Sequence, residues 1–137
     1  MFTAILSFVG VVIGASLQYF FTRHIENQKH IRDLRSNAYM DYLRTASELA
    51  NYRPKENSKE RIDILARTAD AKSRVCLYGS NTVIKAFSKF ERLGATMGTA
   101  EQRDAFTDMV KEMRNDSGGE MGADSTDLQA VLLGSKG

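Results

Sequence analysis

The sequence has no tryptophan, one proline and one cysteine among its 137 residues. With Pro54 the sole proline and Ala, Leu, Arg, Lys and Glu abundant, little interrupts a helix, and the composition favours an all-α chain. A lone cysteine, Cys76, excludes an intramolecular disulfide and is compatible with a reducing compartment. Set among apolar residues, it reads as a small buried hydrophobe. Walker A, Rossmann glycine, GxSxG, HExxH and CxxC patterns are all missing. No enzyme, cofactor or metal is therefore expected. The most consequential absence is charge: no Asp, Glu, Lys or Arg stands between Met1 and Thr22, so all 19 Lys+Arg and all 17 Asp+Glu follow. A net charge of +2, interspersed in sign, gives no basic stripe and argues against a nucleic-acid partner.

The uncharged stretch from Phe2 to Phe21 spans roughly 30 Å as a helix, the thickness of a bilayer's hydrocarbon core. Thr3, Ser7, Ser16 and Gln18 are its strongly polar members, and hydroxyls can bond back to helix carbonyls. Tyr19, Phe20 and Phe21 gather where an aromatic belt belongs. A signal peptide would carry a positive n-region and a small-x-small cleavage site, whereas this run ends in bulky rings. A buried soluble helix would show a polar face. The reading is a single-pass anchor over 1–22, with 23–137 as the attached domain. Arg23, Lys29, Arg32 and Arg35 follow the run, which by the positive-inside rule places the N-terminus outside and the domain in the cytoplasm. Glu26 and Asp33 dilute these cations, so they mark topology rather than a specific lipid site.

Within the span, Thr3, Ser7, Gly10, Gly14 and Gln18 recur at three- or four-residue spacing and share one helical face. Gly10 and Gly14 form a GxxxG pair, which lets two backbones approach closely, and Gln18 can hydrogen-bond across such a contact. Ser7, Gly10, Gly14 and Gln18 are the candidate association residues. They point to a homo-oligomer or a membrane-protein partner.

Nothing between Phe21 and Arg53 breaks a helix, and Ile31, Leu34, Ala38, Tyr42, Ala46 and Leu49 keep a 3.6-residue period. The span should therefore continue as one helix to "NYRP". A second helix should start at a capping box of Asn57 and Glu60, with Ile62, Leu65, Ala69, Ser73 and Cys76 on its inner face and Gly79 as a left-handed cap. A third, capped by Ser80 or Asn81, carries Val83, Ile84, Phe87, Phe90 and Leu93 and ends at Gly94. A fourth opens on a Thr99–Gln102 box and buries Phe106, Met109, Val110 and Met113. Residues 115–125 read as a flexible loop, followed by a short helix, Thr126 to Leu133, and a frayed tail at 134–137. Leu128, Val131 and Leu132 of that short helix are a possible interaction surface. The expected architecture is an antiparallel bundle of about four helices, plus the short one, hung from the membrane helix.

His24 and His30 lie about 240° apart on a helix and cannot share a metal. "MRNDSGGE" (113–120) is the most site-like stretch, yet it lacks the EF-hand pattern and reads as a helix end and loop. "LYGSN" (77–81) reads as a helix-to-helix corner, and the tyrosines as core residues with a wet hydroxyl.

"AYMDYL" (38–43), "RVCLYGSNTVI" (74–84), "MVKEMRND" (109–116) and "LQAVLLG" (128–134) together resemble uncharacterised small bacterial single-span proteins with a helical cytosolic domain. The resemblance implies a bacterial inner membrane and assigns no activity. The topology is also similar to the ATP synthase b subunit as far as residue 54, where this chain folds back instead of continuing. The expected function is that of a membrane-anchored assembly protein. The alternative is a membrane-perturbing toxic or defence-type effector triggered through the cytosolic domain, and a third reading is an enzyme or small-ligand receptor with a pocket among the helices.

Overall fold

The computed structural model describes residues 2–52 and 54–134. Among these, the chain forms five helices and no strand: α1 (Phe2–Tyr52), α2 (Lys59–Tyr78), α3 (Asn81–Arg92), α4 (Ala100–Asp116) and α5 (Ser125–Leu133). Contacts divide the chain into two units, Met1–Asp33 and Leu34–Gly137. The first is the N-terminal part of α1. That helix is long and apolar enough to cross a membrane, and no part of its apolar window is buried within the protein.

The second unit holds the core. The C-terminal part of α1 contributes Ala38, Tyr39 and Tyr42, α2 contributes Ala71 and Val75, α3 contributes Val83, Phe87 and Phe90, and α4 contributes Phe106, Met109, Val110 and Met113. Tilted ring contacts, Tyr42 on Phe87 at 4.5 Å and Phe90 on Phe106 at 5.3 Å, join α1 to α3 and α3 to α4. Buried Thr45 and Thr107 satisfy their hydroxyls on the carbonyls of Tyr42 and Arg103, so neither leaves an orphaned polar atom in the core. The inner faces expected for α3 and α4 are the ones buried.

On α2 the buried register differs from the expected one. Ile64, Ala71 and Val75 face the core, with Thr68 half-buried between them, while Ile62, Leu65, Ala69, Ser73 and Cys76 point to solvent. Cys76 is exposed, not a buried hydrophobe. The physical reason is that α2 is apolar on two sides, and charge decides between them. Arg67 reaches Glu48 at 2.7 Å and Arg74 reaches Asp41 at 2.7 Å. Each helix offers these partners seven residues apart and in reversed order, so α2 returns along α1 with its Arg67–Arg74 side against it. Such partly exposed pairs add little stability, but they fix which side turns inward.

Helix ends also depart from expectation. Ser58, not Asn57, caps α2, its hydroxyl accepting from the Arg61 amide at 3.2 Å; Asn57 takes a left-handed φ of 65° in the preceding turn. Gly79 is extended (φ −65°, ψ 153°), so it is not a left-handed cap. Glycine is needed there for close approach: a Cβ would sit 2.5 Å from the Val75 carbonyl oxygen and 3.4 Å from the Tyr39 hydroxyl. Ser80 caps α3, and the Thr99–Gln102 capping box forms with both halves present. Helix α4 runs through Asp116, which shortens the expected loop at 115–125 to 117–124, and Asp124 caps α5. The tail expected to fray lies outside the described residues from 135 onward.

These caps predict an order of mutational effects in thermal unfolding of the full chain followed by circular dichroism. Ser58→Ala should cost about 1 kcal/mol, and Asn57→Gly should be neutral or stabilising because it relieves a positive φ. Gly79→Ala should cost about 1–3 kcal/mol through overpacking. If Asn57 were the cap, its replacement would carry the loss and Ser58→Ala would be silent.

Candidate functional site

Two surfaces and one polar cluster are the places where this chain can act. The first surface is the N-terminal part of α1. Phe2, Leu6, Phe8, Val11 and Phe20 are each at least two-thirds exposed, from 85% at Phe2 to 67% at Leu6 and Phe20. The Ser7 hydroxyl bonds back to the Thr3 carbonyl at 2.8 Å, which removes its polarity from the surface. Ser7, Gly10, Gly14 and Gln18 lie along one stripe of this helix, and a Cβ built at Gly10 or Gly14 meets nothing within 4 Å. The glycines thus leave a shallow track that the chain itself does not fill.

Of the cations following this stretch, Arg23, Lys29 and Arg32 are exposed. The Arg23 guanidinium lies 3.5 Å from the Tyr19 hydroxyl, one turn back, and the His24 ring lies 3.1 Å from the Gln28 amide.

Arg35 belongs to the second unit and does more than add charge. Its guanidinium donates to the Tyr78 carbonyl and pairs with Asp116 at 3.5 Å. The Tyr39 hydroxyl, one turn along α1, donates to the other Asp116 oxygen at 2.5 Å and accepts from the Ser80 amide at 3.2 Å. The cluster thereby joins α1, the corner at residues 78–80 and the C-terminal end of α4. It brings together the "LYGSN" corner and the "MRNDSGGE" stretch, which the sequence places far apart. Its chemistry is that of a clamp: the Tyr39 hydroxyl, both Asp116 oxygens and the Tyr78 carbonyl each find a partner within it. Arg35 and Tyr39 at i, i+4 were the one available sequence signal, but their partner stands 77 residues from Tyr39.

The second surface is on α5. Helix α5 packs on α4, and Leu133 joins the core cluster. Gln129 donates to Asp104 at 3.3 Å. Of the three residues expected to interact, Leu128 is half-buried, Leu132 is 38% exposed and Val131 is 85% exposed. On α2, the outward face described above leaves Ile62 59% exposed and Leu77 74% exposed.

Comparison with protein-family models, curated proteins and solved structures gives no match.

Burial, then the hydrogen bond to Asp116, holds the Tyr39 phenol above its ordinary value of 10.0, pushed up to about 12. Burial, with the nearby Glu91 charge, also raises Tyr42. A phenol raised on folding contributes stability that is full below pH 10 and lost as pH climbs to 12. In a spectrophotometric titration, Tyr39 and Tyr42 should ionise well above pH 10, together with alkaline unfolding. Tyr39→Phe should cost about 1–2 kcal/mol at neutral pH and weaken the alkaline loss. Ordinary ionisation of Tyr39 and Tyr42 before unfolding would contradict the buried cluster.

Proposed function

We propose that the chain is a single-pass, membrane-anchored assembly protein of a bacterial inner membrane. Its span crosses the bilayer with the N-terminus outside, and its cytosolic helices form a bundle that presents an interaction surface. The observation that carries this reading is the uncovered apolar end of α1, none of whose apolar window the chain buries. In water each fully exposed Leu, Ile, Val or Phe forgoes about 1.5–3 kcal/mol available from burial. About a dozen Leu, Ile, Val and Phe side chains on one helix, 46–85% exposed, make an apolar surface larger than ordinary monomers leave open. A bilayer covers all sides of a helix at once, which a single protein partner cannot. The exposed cations Arg23, Lys29 and Arg32 support retention of the following domain on the cytoplasmic side.

Assembly is supported by the open track at Gly10 and Gly14. In lipid, helix pairing depends on close packing and on polar groups that find partners, and this stripe offers both through the glycines and Gln18. The function invoked is binding, without turnover of a substrate.

The anchor reading predicts that the full chain stays with membranes after alkaline carbonate extraction. A phosphatase fused to its N-terminus should be active, and a fluorescent protein fused to its C-terminus should fold and shine inside the cell. Release by carbonate, or the reverse pattern of reporters, would overturn the span or its orientation. For association, Gly10→Ile and Gly14→Ile should reduce the mass of the gently extracted complex while leaving membrane insertion intact. Because a Cβ at either position meets no other part of the described residues within 4 Å, loss of the complex reports on a partner. An unchanged complex would remove the glycine face from the assembly.

A further inference from the structure

A cavity of about 560 Å³ opens between the C-terminal part of α1, α2 and the connection from α3 to α4. Its walls are mostly apolar: Ala46 and Leu49 of α1, Leu65 of α2, Phe90 of α3 and Met97 of the connection. Phe90 is buried, while Leu65, 46% exposed, stands at the rim. Packed interiors leave few voids larger than a water molecule, and this volume and lining are those of a small-molecule site.

The connection that closes one side holds its shape unaided. Gly94 and Ala95 both take left-handed φ values, 101° and 53°, a backbone that alanine rarely adopts. The Gln102 side chain fastens the turn. It donates to the Leu93 carbonyl at 2.6 Å and accepts from the Gly98 and Thr99 amides at 2.9 and 3.0 Å.

The polar groups of the lining decide what fits. The Thr68 hydroxyl is spent on the Ile64 carbonyl at 2.7 Å. Lys72 is the one charged residue of the lining, and Glu91 balances it at 2.7 Å, so an ionic ligand gains nothing here. Tyr42 lines the cavity and is 4% exposed, yet its hydroxyl has no hydrogen-bond partner among the described residues. Nor is that hydroxyl sealed in. Among the described residues, the one fully enclosed side-chain polar atom without a hydrogen bond is Glu91 Oε1, which the Lys72 ammonium neutralises. The Tyr42 hydroxyl is therefore reached through the cavity it lines. Burial, then the Glu91 charge, raises its pKa, so it remains a donor at neutral pH. A buried polar group without a partner is costly, and a ligand that supplies one removes that cost.

We propose that this cavity binds an uncharged, largely apolar small molecule whose hydroxyl or carbonyl group pairs with the Tyr42 hydroxyl. Such binding goes beyond the assembly reading and does not depend on it. A bound molecule would tie α1, α2 and the α3–α4 connection together and stabilise the folded chain by mass action.

The test uses the full-length protein in lipid nanodiscs, with ¹³C-labelled methionine methyl groups and 2-naphthol as the probe. The Met97 methyl should shift saturably, whereas Met40 and Met121, 60% and 80% exposed, should not. Tyr42→Phe should weaken 2-naphthol about three- to tenfold and leave 2-methylnaphthalene, which has no hydroxyl, unaffected. The same variant should not lower the thermal midpoint without probe, because the hydroxyl it removes has no partner to lose. Ala50→Phe, at an exposed position of the lining that spares the core, should block both probes. No saturable shift at Met97, or equal shifts at all three methionines, would overturn the site. So would unchanged 2-naphthol affinity in Tyr42→Phe, or a loss of stability in that variant like the one expected of Tyr39→Phe.

Discussion

The Tyr39 hydroxyl is the junction on which the second unit depends. It gives its proton to Asp116 at the end of α4, accepts the Ser80 amide at the start of α3, and lies close to Gly79. Three segments far apart in sequence are thus held by one phenol. Arg35 closes the arrangement by neutralising Asp116 and filling the Tyr78 carbonyl. Buried polar groups are costly unless partnered, and the cost of breaking this cluster is what makes it specific. Apolar packing around Phe87, Phe90 and Met109 supplies cohesion but would tolerate several helix registers; the hydrogen bonds at the corner do not.

The N-terminal part of α1 is governed by the opposite condition. Its side chains find no partner in the chain, and the physical problem is cover rather than packing. A hydrocarbon surround would provide such cover without directional demands, leaving Phe, Leu, Val and Ile free to be arranged around the helix in almost any order. What departs from that freedom is the stripe of Ser7, Gly10, Gly14 and Gln18, where side-chain volume drops on one side.

Much of this was legible in order along the chain. The long α1, the Thr99–Gln102 box and the inner faces of α3 and α4 follow from local periodicity and capping chemistry, which depend on neighbours within a turn or two, while the α3 cap was narrowed to Ser80 or Asn81. Asn57 and Gly79 misled because a residue type that permits a left-handed conformation does not say whether it, or its neighbour, ends the helix. Residues Arg35, Tyr39 and Asp116 each looked ordinary alone.

Sequence by itself determined that the chain is helical, where its helices run, and that one end is apolar and uncharged, because these are properties of short windows. Only the tertiary structure decided which side of α2 turns inward. Both sides carry apolar residues at helical spacing, Ile62 and Leu65 on one and Ile64 and Val75 on the other, and periodicity alone does not choose between them. The choice falls to Asp41 and Glu48 on another helix, whose pairing with Arg74 and Arg67 requires the two segments to lie side by side. A side chain's partner across the fold is a matter of where the backbone brings it, and no window of the sequence contains that distance.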